Sequence, residues 1–194
     1  MNRIIIITVF LSLITNSSFA QTIKQYSIAA TSEAVGLPFT NYSPYHPGAE
    51  FTTALKINEK EKSTRYIGLK AGFFYHRKLE TALYLGGEYQ YSFMMLNNKL
   101  SLDIPMGLGY LHSFYPSELY EQNSNGDFEK VSQFGRPHLY INLGLGLTYR
   151  MNERVQPFVR QSLLLETPFA NGIPVIPHSL IHLGIQIKIQ KNEE

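Results

Sequence analysis

The segment HLYINLGLGLTYR, His138–Arg150, decides how the chain is read. Leu139, Ile141, Leu143, Leu145, Leu147 and Tyr149 fall on one face of a strand, because side chains alternate along an extended backbone. His138, Tyr140, Asn142, Gly144, Gly146, Thr148 and Arg150 fall on the other. The run is about twice the length of an ordinary globular strand of about five or six residues. It is long enough for the roughly nine to eleven tilted residues that cross a bilayer.

The same alternation recurs along the chain. Residues 178–189 put Ile181, Leu183, Ile185 and Ile187 opposite His182, Gly184, Gln186 and Lys188. Residues 155–166 set Val155, Val159, Leu163 and Leu165 against Gln156, Arg160, Ser162 and Glu166. Comparable strands are predicted over 48–57, 64–76, 80–94 and 99–112, with a fainter one within 23–35. Pro105 and Pro157 fall inside two of them and are read as bulges, since proline lacks the N–H a ladder needs. The predicted fold is all-β: an eight-stranded antiparallel up-and-down transmembrane barrel.

Connections at 58–63, 95–98 and 151–154 are short and polar, whereas those at 36–47, 113–135 and 167–177 are long. Outer-membrane barrels show this asymmetry, with short periplasmic turns and long external loops. The glycines separate this reading from a soluble up-and-down barrel with its apolar face inward. Gly68, Gly72, Gly86, Gly107, Gly109, Gly144, Gly146 and Gly184 all share the polar face. Glycine suits a crowded lumen better than a solvated surface. The opposite face is apolar and almost free of charge, as lipid contact requires. The 13 Tyr and 12 Phe, with no Trp, suit interfacial girdles.

The N-terminus sets the expected compartment. Arg3 precedes an apolar run from Ile4 to Ile14, and Ser18 and Ala20 provide the small residues of a signal-peptidase site. Residues 1–20 are therefore read as a cleaved signal peptide and 21–194 as one barrel domain. With no cysteine, lipoprotein processing and disulfides are excluded. A net charge of +2 without a basic block argues against nucleic acid as a partner.

The final strand carries a recognisable motif. His182, Gly184, Ile187 and Ile189 in HLGIQIKI resemble the C-terminal signal read by the barrel-assembly machinery: polar, any, Gly, two of any kind, hydrophobic, any, hydrophobic. Ile189 stands where Phe is usual, and QKNEE follows it. With the whole-chain pattern, the sequence resembles the small eight-stranded outer-membrane barrels of Gram-negative bacteria. That resemblance implies a monomer surrounded by outer-membrane lipids and lipopolysaccharide, inserted by the assembly machinery.

The inward parity collects Glu50, Lys56, Lys70, Glu88, Asp103, Arg150, Arg160 and Glu166. Eight strands leave barely enough room for side chains, so these charges are expected to pair and plug the lumen. No cofactor motif occurs, and the glycines of LGLGL alternate through a strand rather than forming a phosphate loop. The expected role is structural or interaction-based, through the external loops. The rival readings are an accessory barrel of an envelope transport assembly and a lipid A-modifying enzyme. The resemblance implies a Ser and a His on one face for a lipid A deacylase. The neighbours His112–Ser113 and His178–Ser179 point to opposite faces instead. Finally, His76, His138, His178 and His182 share the inward parity near the long-loop end, a candidate collar for a transition metal. This topology predicts that cysteine at Asn125 is labelled by an impermeant reagent on intact cells and cysteine at Lys60 is not.

Overall fold

A computed structural model describes residues 24–39, 41–116, 119–122, 126–131, 134–169 and 172–189. Residues 1–20, read from the sequence as a signal peptide, lie outside them. Ten strands form: β1 (Gln25–Val35), β2 (Pro47–Lys60), β3 (Ser63–His76), β4 (Glu80–Met95), β5 (Leu100–Phe114), β6 (Leu119–Gln122), β7 (Phe128–Val131), β8 (Arg136–Tyr149), β9 (Val155–Thr167) and β10 (Ile176–Lys188). Eight of them close into an antiparallel barrel in the order β1-β10-β9-β8-β5-β4-β3-β2, and β6 and β7 form a separate hairpin. That hairpin lies within 113–135, where the sequence pattern predicted only a loop. The chain ends close the ring, from Gln25↔Lys188 to Val35↔His178.

The faces follow the alternation. On β8, Leu143 and Leu145 are each 52% exposed, while Tyr140 and Asn142 are 1% and 4% exposed. The outward face carries Ile28, Leu69, Leu85, Leu108, Ile141 and Leu183, all more than half exposed. No water-soluble monomer of this size needs so continuous an apolar surface. Surrounded by hydrocarbon, it is the stable arrangement, because closure leaves no edge with unpaired N–H and C=O groups.

Neither proline makes a bulge. Pairing of β5 with β8 is interrupted between Asp103↔Gly146 and Met106↔Leu143, but two residues are skipped on each strand, so the register is kept. Pro157 pairs in step with Ile185, and the ladder from β9 to β8 stops beside it, at Thr148↔Phe158. Each proline thus sits where one ladder is open, and no extra residue is required. A register shift does occur on β2, between Lys56 and Asn58.

The inward glycines lie across from the bulkiest lumen groups. Gly72 pairs with Glu50 and Tyr84, Gly86 with Lys70, Gly68 and Gly107 with Glu88, and Gly146 with Arg160. A Cβ on Gly72 would lie 2.4 Å from the Tyr84 hydroxyl. The small residues make space for long ones on the neighbouring strand. Leu143→Arg places a charge near the bilayer midplane and is expected to cost about 2–4 kcal/mol in a refolding titration. Asn142→Gln strains the lumen without placing charge in lipid; equal tolerance of both changes would contradict the assigned faces.

Candidate functional site

The lumen is layered. Its middle holds Glu50 from β2, Lys70 from β3, Glu88 from β4 and Arg160 from β9, each at most 5% exposed. Lys70 Nζ pairs closely with Glu88 and lies 3.4 Å from Glu50 Oε2. Arg160 Nη1 lies 3.6 Å from Glu50 and 3.5 Å from Glu88, so each cation bridges both acids. Tyr84 donates to Glu50 (3.0 Å), Arg160 donates to Gln90 (3.2 Å), and His182 Nδ1 sits 3.6 Å from Glu50. Two acids and two bases give a section with no net charge. Isolated, any one of these ions at this depth would cost several kcal/mol in lost hydration.

Above this section, toward the long connections, Phe74, Tyr84, Leu111, Tyr140, Leu164 and Leu180 form an apolar layer. Below it, Asp103 accepts from Thr148 (2.5 Å) and Ser101 (3.1 Å).

A second polar chamber lies beyond the apolar layer. Glu33 from β1, Glu80 from β4, Glu166 from β9 and His178 from β10 are all 1% exposed or less. His178 Nδ1 lies 2.9 Å from Glu33 Oε1, and its Nε2 lies 3.2 Å from Glu166 Oε2 and 3.7 Å from Glu80 Oε1. His138 Nδ1 donates to the Pro168 carbonyl (2.6 Å) and sits 3.1 Å from Glu166, while its Nε2 accepts from Ser113 (2.8 Å). The carbonyl can only accept, which fixes the proton on Nδ1. His46, just before β2, packs at a tilt against His76 with ring centroids 3.7 Å apart and lies 3.5 Å from Glu33.

The residues picked from sequence are distributed unevenly between these layers. Glu50, Lys70, Glu88 and Arg160 meet in the middle section, Glu166 joins the upper chamber and Asp103 the lower layer. Lys56 and Arg150 are exposed, and Lys56 pairs with Glu59. They lie at the register shift and just past the end of β8, where strand parity no longer fixes direction. The four inward histidines do not form one collar: His182 belongs to the middle section, apart from His178 and His138. His46 and the carboxylates Glu33 and Glu80 complete the upper chamber. Glu33 lies in the faint first strand, and His46 is placed by its loop. The assembly-signal residues lie on β10 and just past its end, with Ile187 outward and His182 and Gly184 inward.

A polar cluster sits on the outer wall. Gln161 and Ser179 face outward, and Tyr42 from the β1–β2 connection covers them. Gln161 Nε2 donates to Tyr42 Oη and Ser179 Oγ, both at 2.7 Å, and the two hydroxyls are 2.7 Å apart. Beside it, Pro38 and Phe39 overhang Leu143, Leu145, Val159 and Leu163, enclosing an apolar groove of about 620 Å³.

No family model matches this chain, and no curated protein matches it by sequence. Its fold is that of small outer-membrane β-barrels. The crystal structure of Neisserial surface protein A superposes over 85% of this chain and 97% of its own, at 10% identity and a TM-score of 0.55. Ail, the attachment invasion locus protein of Yersinia pestis, covers 87% of this chain and 100% of its own, at 13% identity and a TM-score of 0.51. The outer membrane enzyme PagL is similar over 85% of this chain and 99% of its own, at 12% identity and a TM-score of 0.48.

Arg160→Met leaves Glu50 and Glu88 sharing Lys70 alone and is expected to cost about 3–5 kcal/mol in urea unfolding. Arg65→Met, at an exposed position over Tyr91, should change stability by less than about 0.5 kcal/mol.

Proposed function

We propose that this chain is a monomeric outer-membrane barrel that acts through its long connections and lipid-facing wall and does not conduct solutes. The observation that carries this reading is the filled lumen: a neutral ion-paired section beneath an apolar layer. Eight strands enclose little more than their own side chains, and here those side chains bond to one another. An ion entering would have to break pairs that have no water to replace them.

The loops offer the recognition surface. Phe134 is 87% exposed and Phe128 is 71% exposed, both in the long β5–β8 connection. The β6–β7 hairpin stands as a two-stranded sheet separate from the barrel. Lipids and lipopolysaccharide are the expected surroundings of the wall, and the groove beneath Phe39 suits an acyl chain. The C-terminal strand fits recognition by the barrel-assembly machinery during insertion.

A second reading, lipid A modification, is favoured by one observation. Ser113, His138 and Glu166 line up as hydroxyl, imidazole and carboxylate, the order of a nucleophilic relay. The first reading is preferred because Ser113 is 1% exposed and faces the lumen. A hydroxyl covered in this way orients His138 and presents no nucleophile to a lipid.

Two measurements test these readings. In planar bilayers the purified barrel is expected to give no steady single-channel conductance; a stable open level would contradict the sealed lumen. Mass spectrometry of lipid A is expected to be the same in cells with the wild-type protein, with Ser113→Ala, or with neither. A lipid A species that depends on Ser113 would instead establish the enzymatic reading.

A further inference from the structure

We propose that the upper chamber binds one divalent transition-metal ion of the zinc class, held by the carboxylates of Glu80 and Glu166 and by His178 Nε2. The inference is independent of the role proposed for the loops and wall. It rests on geometry, on an unsatisfied group and on charge.

The geometry fits a small ion. An ion with bonds of about 2.0–2.2 Å to nitrogen and oxygen in tetrahedral array sets neighbouring donors roughly 3.4 Å apart. His178 Nε2 lies 3.2 Å from Glu166 Oε2 and 3.7 Å from Glu80 Oε1. The three ligand atoms all lie within 4.8 Å of one another. They come from β4, β9 and β10, so rigid strands hold the set rather than mobile loops.

Glu80 is one of several buried lumen groups without a hydrogen-bond partner, and it lies in the chamber with the acids. Its side chain is 1% exposed, yet neither carboxylate oxygen takes a hydrogen bond. Arg136 comes only to 4.0 Å from Oε2. Leaving a carboxylate buried without partners costs more than an ordinary lost hydrogen bond. Glu33, Glu80 and Glu166 converge here, and a divalent cation would offset their charge.

The surroundings are those of a metal site rather than a chance cluster. A metal-bound imidazole typically donates its other N–H to a carboxylate, which fixes the ring. His178 Nδ1 faces Glu33 Oε1 at 2.9 Å in that way. His138 Nδ1 lies 3.1 Å from Glu166 Oε1 without hydrogen-bonding it. Phe74 packs against His178 with ring centroids 5.0 Å apart, giving the site an apolar floor. A donor set of one imidazole and two carboxylates favours zinc and its neighbours over magnesium or calcium, which take oxygen alone.

The test uses the protein purified from membranes and stripped with a chelator. Calorimetric titration with zinc is expected to show one saturable site per chain that excess magnesium does not occupy. X-ray absorption of the loaded protein should show a single imidazole among oxygen ligands. Glu80→Gln and His178→Gln should abolish uptake, Glu33→Gln should weaken it about 10–100-fold, and His112→Ala at the outer rim should leave it unchanged. Absence of saturable zinc binding by the folded wild-type barrel would overturn the proposal. So would a spectrum showing two or more imidazoles, which would place the ion at Glu33, His46 and His76 instead. Because both of these readouts use the wild-type chain, the result stands even where a substituted chain fails to fold.

Discussion

At membrane depth no water is available to the backbone, so every N–H and C=O must find a partner within the chain. The β1–β10 ladder meets that demand here. It joins the two ends of the barrel over the full length of β1, from Gln25↔Lys188 to Val35↔His178. Without it the remaining strands would form a curled sheet with two open edges. With it, the apolar side chains can face outward. The inverted distribution, with Leu and Ile exposed and Glu, Lys and His buried, then follows from closure in an apolar solvent.

Closure also explains the interior. A ring of eight strands leaves room for side chains only if large and small residues alternate across neighbouring strands. Glycine opposite Glu50, Lys70, Glu88 and Arg160 provides that space, and each long charged group fills the gap its neighbour leaves. The apolar layer around Phe74 and Tyr140 separates this neutral section from the acid- and histidine-rich chamber beyond it. The two polar layers therefore differ in character. The middle section has two acids ion-paired with two cations. The upper chamber has three acids set around the His178 imidazole, an arrangement that suits a bound cation.

The strands were legible in the sequence because lipid contact on one face and packing on the other impose a strict period of two. That signal placed each barrel strand to within a few residues, even through Pro105 and Pro157. It failed where the period stops acting. Lys56 lies at a register shift and Arg150 past the last paired residue, so neither joins the charges that parity assigned them to. The β6–β7 strands are only four residues each, too short to leave a periodic trace. The upper chamber was only partly visible. Parity marked His76, His138 and His178, but which side chains meet depends on the stagger between strands, and this carried His182 down to Glu50. Glu33 was hidden because Ser, Ala and Thr alternate weakly in β1.

The chain has no native cysteine, so closure can be examined directly by placing one at Ile28 and one at Ile185. These residues are paired across β1 and β10, and both face lipid, at 60% and 46% exposure. Paired strand residues have the Cα spacing of about 4.4–6.8 Å that a disulfide needs. Oxidation of the double variant in native outer membranes is predicted to give a single internally cross-linked chain. Failure to cross-link, or bonds formed only between separate chains, would contradict the closed barrel on which the account rests.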